Sequence, residues 1–112
     1  MRLLGEDGSV VCETCIVADT ALTRMRGLLG RTELPSGEGM LIRPANSIHT
    51  WFMRFTIDAL FLDKQGNVVK IASRMKPWKL TSIAIKARGV LELPEGTIEK
   101  SGTRVGDLVE KA

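Results

Sequence analysis

Residues 57–76 read IDALFLDKQGNVVKIASRMK, and the fold class turns on this stretch. From Ile57 to Leu62 the chain is apolar on both faces apart from Asp58, the pattern of a strand covered on each side. Lys64 to Asn67 then turns the chain, with Gly66 and Asn67 supplying the permissive backbone a hairpin needs. Beyond the turn, Val69, Ile71 and Met75 alternate with Lys70, Ala72, Arg74 and Lys76. That alternation predicts a second strand, apolar inside and basic outside, which Pro77 ends.

The pattern extends outward from this hairpin. Upstream, the β-branched run Val10–Ala18 reads as a strand, and Asp19 or Thr20 can cap a helix over about residues 20–29. Leu22, Met25, Leu28 and Leu29 share one face of that helix, Gly30 is a natural C-cap, and Gly27 implies a close packing contact. Residues 40–43, MLIR, form a short strand between two loops. Downstream, Ile83, Ile85, Ala87, Leu91 and Leu93 keep one parity, which predicts a strand over Ser82–Leu93 with a bulge at Gly89. Residues 94–102 hold one helical turn, and a last strand follows from Arg104. Five to seven short strands with one main helix make a β-rich α+β fold, a curled sheet, sandwich or partial barrel.

A chain of 112 residues, 44% hydrophobic and 26% charged, suits a single domain spanning 1–112. No stretch reaches the roughly 18–20 apolar residues of a membrane span. The opening MRLLGEDGSV is too short for the apolar part of a signal peptide, so a cytoplasmic location is expected. The net charge of +3 conceals a basic tract, Lys64–Arg88, that contains no acidic residue. Such a tract attracts nucleic acid, phosphate-bearing ligands or an anionic membrane, although a solvated strand face is the plainer expectation.

Cys12 and Cys15 form a CxxC. On one continuous strand their Cα atoms lie about 10 Å apart, beyond the roughly 7 Å that a disulfide spans. A tight turn at Glu13–Thr14 would bring them together. A zinc site needs two more ligands, and His49 is the only histidine. Two reduced cysteines, with no metal and no cofactor, are the expectation. Motifs for a serine nucleophile, a phosphate loop or a zinc protease are absent.

Chemistry therefore concentrates in residues 48–58, IHTWFMRFTID, where polar groups stand among bulky apolar ones. Asp58, inside the most apolar strand, must be paired, hydrogen-bonded or protonated. Arg54 shares its parity, but four residues of strand span about 13 Å, too far for contact. The arginines of the first helix and the Lys64 tract offer other partners. One reading is a satisfied internal network. The other is a pocket walled by Trp51 and Trp78 with a few converging polar groups.

RMRGLLGR, GEGMLI, IHTWFMRFTIDALFLD, PW, VLELPEG and GD occur in the order seen in the bacterial and archaeal family called domain of unknown function 192, which this chain resembles over about residues 18–109. Thr56 stands where that pattern has proline. The resemblance implies a compact β-rich domain with the His49–Asp58 segment as its signature. It implies no activity.

The leading expectation is a small domain binding a polar or anionic molecule, framed by His49, Thr50, Trp51 and Arg54, with Asp58 and Arg26 as supporting charges and Trp78 at the rim. Guanidinium presents paired donors to such ligands. A second is a hydrolase or lyase with His49 as general base beside Asp58 or Asp63. A third is nucleic-acid binding through Lys70, Arg74, Lys76 and Lys79, with Trp78 stacking on a base; with no tyrosine in the chain, this is disfavoured. The oligomeric state is left open.

Overall fold

The computed structural model describes residues 1–112. Its elements are β1 (Leu3–Leu4), β2 (Val10–Cys12), β3 (Thr14–Ala18), α1 (Ala21–Arg26), β4 (Glu38–Ile42), β5 (Ile57–Leu62), β6 (Val68–Met75), β7 (Gly89–Pro94), α2 (Thr97–Ser101) and β8 (Glu110–Lys111). Five strands form the main sheet in the order β3-β4-β7-β5-β6, and a small sheet runs β2-β1-β8. Only the β3–β4 pair is parallel. The sheets do not close into a barrel.

Period-2 geometry explains why IDALFL is apolar on both faces. Ile57, Ala59 and Phe61 face one core with Ile42, Met53 and Val90. Leu60 and Leu62 face a second core with Cys12, Leu91 and Leu93. Every residue of β5 is buried. Each fully buried Ile, Leu or Phe contributes about 1.5–3 kcal/mol, so the two central strands anchor the fold. The expected turn is present: the Asp63 carboxylate accepts from the N–H groups of Gln65 at 3.0 Å and Asn67 at 2.8 Å. At Gly66, with φ 96°, a Cβ would meet the Val109 carbonyl oxygen at 2.5 Å, so only glycine fits.

Several expectations are corrected. Strand β6 is not a plain alternation: opposite Asp58 its register jumps from Ala72 to Met75, leaving Ser73 and Arg74 as a bulge. Met75 therefore packs in the first core while Ile71 packs against the second. The Val10–Ala18 run breaks at Glu13, where the N–H groups of Glu13 and Thr14 both donate to the Gly37 carbonyl. Its halves join different sheets. Helix α1 ends at Gly27, whose φ of 48° and N–H bond to Thr23 terminate it, and a Cβ there would meet the Arg24 carbonyl oxygen and Ile42 Cδ1 only at an ordinary 3.9 Å. Backbone conformation, not packing, calls for this glycine. Leu22 and Met25 are exposed, and only Leu28 of the expected face is fully buried. The segment 82–88 is not strand; Gly89 begins β7 without a bulge, and Ile83 and Ile85 project into solvent.

Candidate functional site

Two irregular segments cover the first core. The N–H of Thr50 donates to the Lys79 carbonyl at 2.8 Å, Trp78 N–H to Thr50 at 2.9 Å, and Thr81 N–H to Ile48 at 3.0 Å. His49 and Leu80 form a single antiparallel bridge. The buried Thr50 hydroxyl clamps this ribbon, donating to the Lys76 carbonyl at 2.6 Å and accepting from Lys79 N–H at 2.9 Å. Helix α1 lies alongside, started by a reciprocal Thr20–Thr23 capping box. Arg24 ties it to the loop that follows β4 by donating to the Pro44 carbonyl at 3.0 Å.

Between α1, this ribbon and the sheet lies a cavity of about 120 Å³, lined among others by Arg24, Arg26, Ser47, His49, Met53 and Glu92. A cavity admits a water from roughly 10–15 Å³, so this one has room for several waters or a small organic group. Glu92 comes from β7, centrally between Met40 of β4 and Ala59 of β5. Strand parity turns it to the first core with Val90, away from Leu91 and Leu93. The residue is 3% exposed, and Oε1 has no hydrogen-bond partner. Burial alone pushes its carboxyl up to about 7. Arg26, exposed and outside every ion pair of the protein, lies on the same cavity. The chemistry available is proton exchange near neutrality at Glu92, acceptance of a donor by its oxygens, and attraction of an anion by guanidinium.

Of the residues expected from the sequence, His49 and Arg26 meet at this cavity. Trp51 stacks on His49, ring centroids 4.7 Å apart. Trp78 and the exposed Arg54 lie off it, Trp78 packing against Phe52 at 4.7 Å. Asp58 is the opposite of an arginine holder. Its two oxygens accept from the backbone N–H groups of Arg74 and Ile98, each at 2.9 Å, on the other face of the sheet. The Arg74 guanidinium pairs instead with Glu95 and Glu99, at 3.3 and 2.8 Å. Neither Asp58 nor Asp63 accompanies His49, because Asp63 is spent on its turn. Glu92 is the carboxylate that shares the cavity.

Glu92 does not stand out in the sequence, because VLELP reads as a one-sided strand with its polar position outward. Asp58 offered the needed analogy: both are lone carboxylates in strands buried on two faces. The cysteines are free and lie in the second core, Cys12 in β2 and Cys15 in β3. The Cys12 thiol donates to the Gly37 carbonyl and the Cys15 thiol to the Ile16 carbonyl, each at 3.8 Å, and the influence of each thiol on the other raises Cys12 and lowers Cys15. No cluster of three or more His, Cys, Asp or Glu side chains is arranged to hold a metal, and no helix is long and apolar enough to cross a membrane.

The sequence pattern of DUF192, described as an uncharacterized ACR, matches residues 3–111. A UPF0127 protein of Pyrococcus abyssi is 31% identical over 114 residues, covering 96% of this chain and 95% of the relative. One from Thermococcus sibiricus is 32% identical over 99 residues; there the match covers 84% of this chain but 63% of the relative's length. A solved structure of a protein of unknown function from Novosphingobium aromaticivorans superposes with a TM-score of 0.84 at 26% identity, covering 98% of this chain and 82% of that one. A putative transcription regulator from Sinorhizobium meliloti, 24% identical with a TM-score of 0.84 over 97% of this chain and 89% of its own, shares the fold.

Proposed function

We propose, for a chain that belongs to the DUF192 family, that it is a small-ligand-binding domain whose site is the Glu92 cavity. The ligand is a compact polar molecule with a donor group, an ammonium or hydroxyl, and an anionic or oxygen-rich group. The donor meets Glu92 and the anionic end meets Arg26, with His49 and Trp51 at the rim. One observation carries this reading: Glu92 is buried, its Oε1 lacks a partner, and the residue lines a cavity. A bare buried acceptor costs about 1–3 kcal/mol, which a ligand donor would relieve. Arg54, off the cavity, loses its expected leading role to Arg26.

A thermal-shift screen of amino acids, amino sugars and sugar phosphates tests this. At least one compound should raise the melting temperature of the wild-type chain. Glu92→Ala and Arg26→Ala should abolish the shift, and Arg54→Ala should retain it. A shift that survives both cavity substitutions, or none from any compound, sinks the reading.

A second reading is favoured by the Glu92 carboxyl near 7. A group poised there suits general acid–base catalysis at neutral pH, with Glu92 rather than His49 as the proton acceptor. It requires turnover whose rate follows a single ionisation that Glu92→Gln removes.

A further inference from the structure

The ribbon beside the cavity ends in a tip of unusual composition. Trp51 is 43% exposed, Phe52 68%, Trp78 61% and Leu80 64%. Soluble surfaces carry such groups singly; here they adjoin. Phe52 packs on Trp78, Trp51 stacks on His49, and His49 bridges to Leu80. Phe52 and Trp78 both have φ of 65°, a conformation uncommon for bulky residues. The hydrogen bonds of Thr50 to residues 76–79 hold that backbone, so the rings are kept outward by construction.

The two segments that build the tip carry charge of one sign, and the nearby Glu95 and Glu99 are paired with Arg74. Lys76, Lys79 and Arg54 flank it and are exposed. Between Glu38 and Asp58, and again between Asp63 and Glu92, the chain has no acidic residue, and Asp58 and Glu92 are themselves buried. We propose that this tip docks on an anionic lipid bilayer, with Trp51, Phe52, Trp78 and Leu80 entering the headgroup boundary and Lys76, Lys79 and Arg54 meeting lipid phosphates and carboxylates. Tryptophan and phenylalanine suit that boundary, and lysine stems reach from apolar depth to charged headgroups. Each near-surface cation strengthens attachment by roughly fivefold.

Charge complementarity selects this occupant over two others. A second copy docking face to face would set cations against cations. A nucleic acid would meet the charges, but Phe52 and Trp78 are tilted at 59° to each other instead of aligned as a stacking platform, and Leu80 has no ring. The inference is independent of what the Glu92 cavity binds.

The chain carries its own reporter, because Trp51 and Trp78 are its only tryptophans. Mixed with vesicles of phosphatidylcholine and phosphatidylserine, the full chain should co-sediment, and its emission should shift to the blue. Vesicles of phosphatidylcholine alone should do neither. Lys76→Glu with Lys79→Glu, and separately Phe52→Asn with Leu80→Ser, should each weaken sedimentation roughly tenfold or more. All these positions are exposed and asparagine tolerates the backbone at 52, so melting temperatures should hold. No sedimentation with the anionic vesicles overturns the proposal, as does equal binding to neutral vesicles or equal binding by both variants. A tryptophan shift produced by a single-stranded oligonucleotide at low salt or by dimerisation, with vesicles inert, likewise overturns it.

Discussion

Glu92 sets the behaviour of this protein at the residue scale. Burial raises its carboxyl from 4.5 to about 7. Between those values the folded chain keeps a proton that the unfolded chain has released, so unfolding gives up a proton and stability falls as pH rises. The penalty is absent below about pH 4.5 and complete above about 7, where it amounts to roughly 3 kcal/mol. Glu92→Gln cannot ionise. Urea denaturation should therefore find the variant close to wild type at pH 4.5 and more stable than wild type at pH 8 by up to that amount. Equal gaps at both pH values would mean that the carboxylate reaches water or an internal donor. His49 and Arg26 could be picked from the sequence as polar outliers. Glu92 could not, because alternation alone does not say whether a second layer covers a strand's polar face.

Asp58 matters at the scale of elements. It joins three of them: its own β5, the bulge of β6 through Arg74 N–H, and α2 through Ile98 N–H. Helix α2 begins at Gly96, which has no side chain to cap it, so the carboxylate of a distant strand serves as its cap. Asp58→Ala would leave two N–H groups without partners, at about 1–3 kcal/mol each. Denaturant unfolding should show a loss on the order of 3–5 kcal/mol, with Asp58→Asn losing less because it keeps one acceptor. A loss below 1 kcal/mol would mean that the bulge and α2 rearrange freely. Its position in an otherwise apolar strand requires that this carboxylate have partners. Which partners depended on a bulge that periodicity cannot register, since Ser73 and Arg74 fit an uninterrupted strand equally well.

For the whole molecule, the two cores lie on opposite faces of one sheet, and β5 and β7 bury side chains in both. The small sheet β2-β1-β8 is made of strands of two or three residues. Native-state hydrogen exchange should give β5 and β7 amides the slowest rates, near the global unfolding free energy, with β1 and β8 opening at lower cost. Faster exchange in β5 than in β1 would place the stable unit in the wrong sheet. The two proposed binding surfaces share one face of this layer: the cavity and the basic tip are on the first-core side, whereas Asp58 and the cysteines are on the other.

By itself the sequence determined the strand-rich class, the β5–β6 hairpin with its Asp63–Asn67 turn, and the segment in which to seek polar chemistry. These follow from local rules: side-chain period, turn residues and the cost of a carboxylate among apolar neighbours. Only the tertiary structure decided that α1 leaves Leu22 and Met25 in solvent, that Asp58 serves backbone amides, and that Glu92 shares a cavity with Arg26 and His49. Each depends on what the opposite side of a strand meets. That is settled by elements far away in the chain, whose packing no local period encodes.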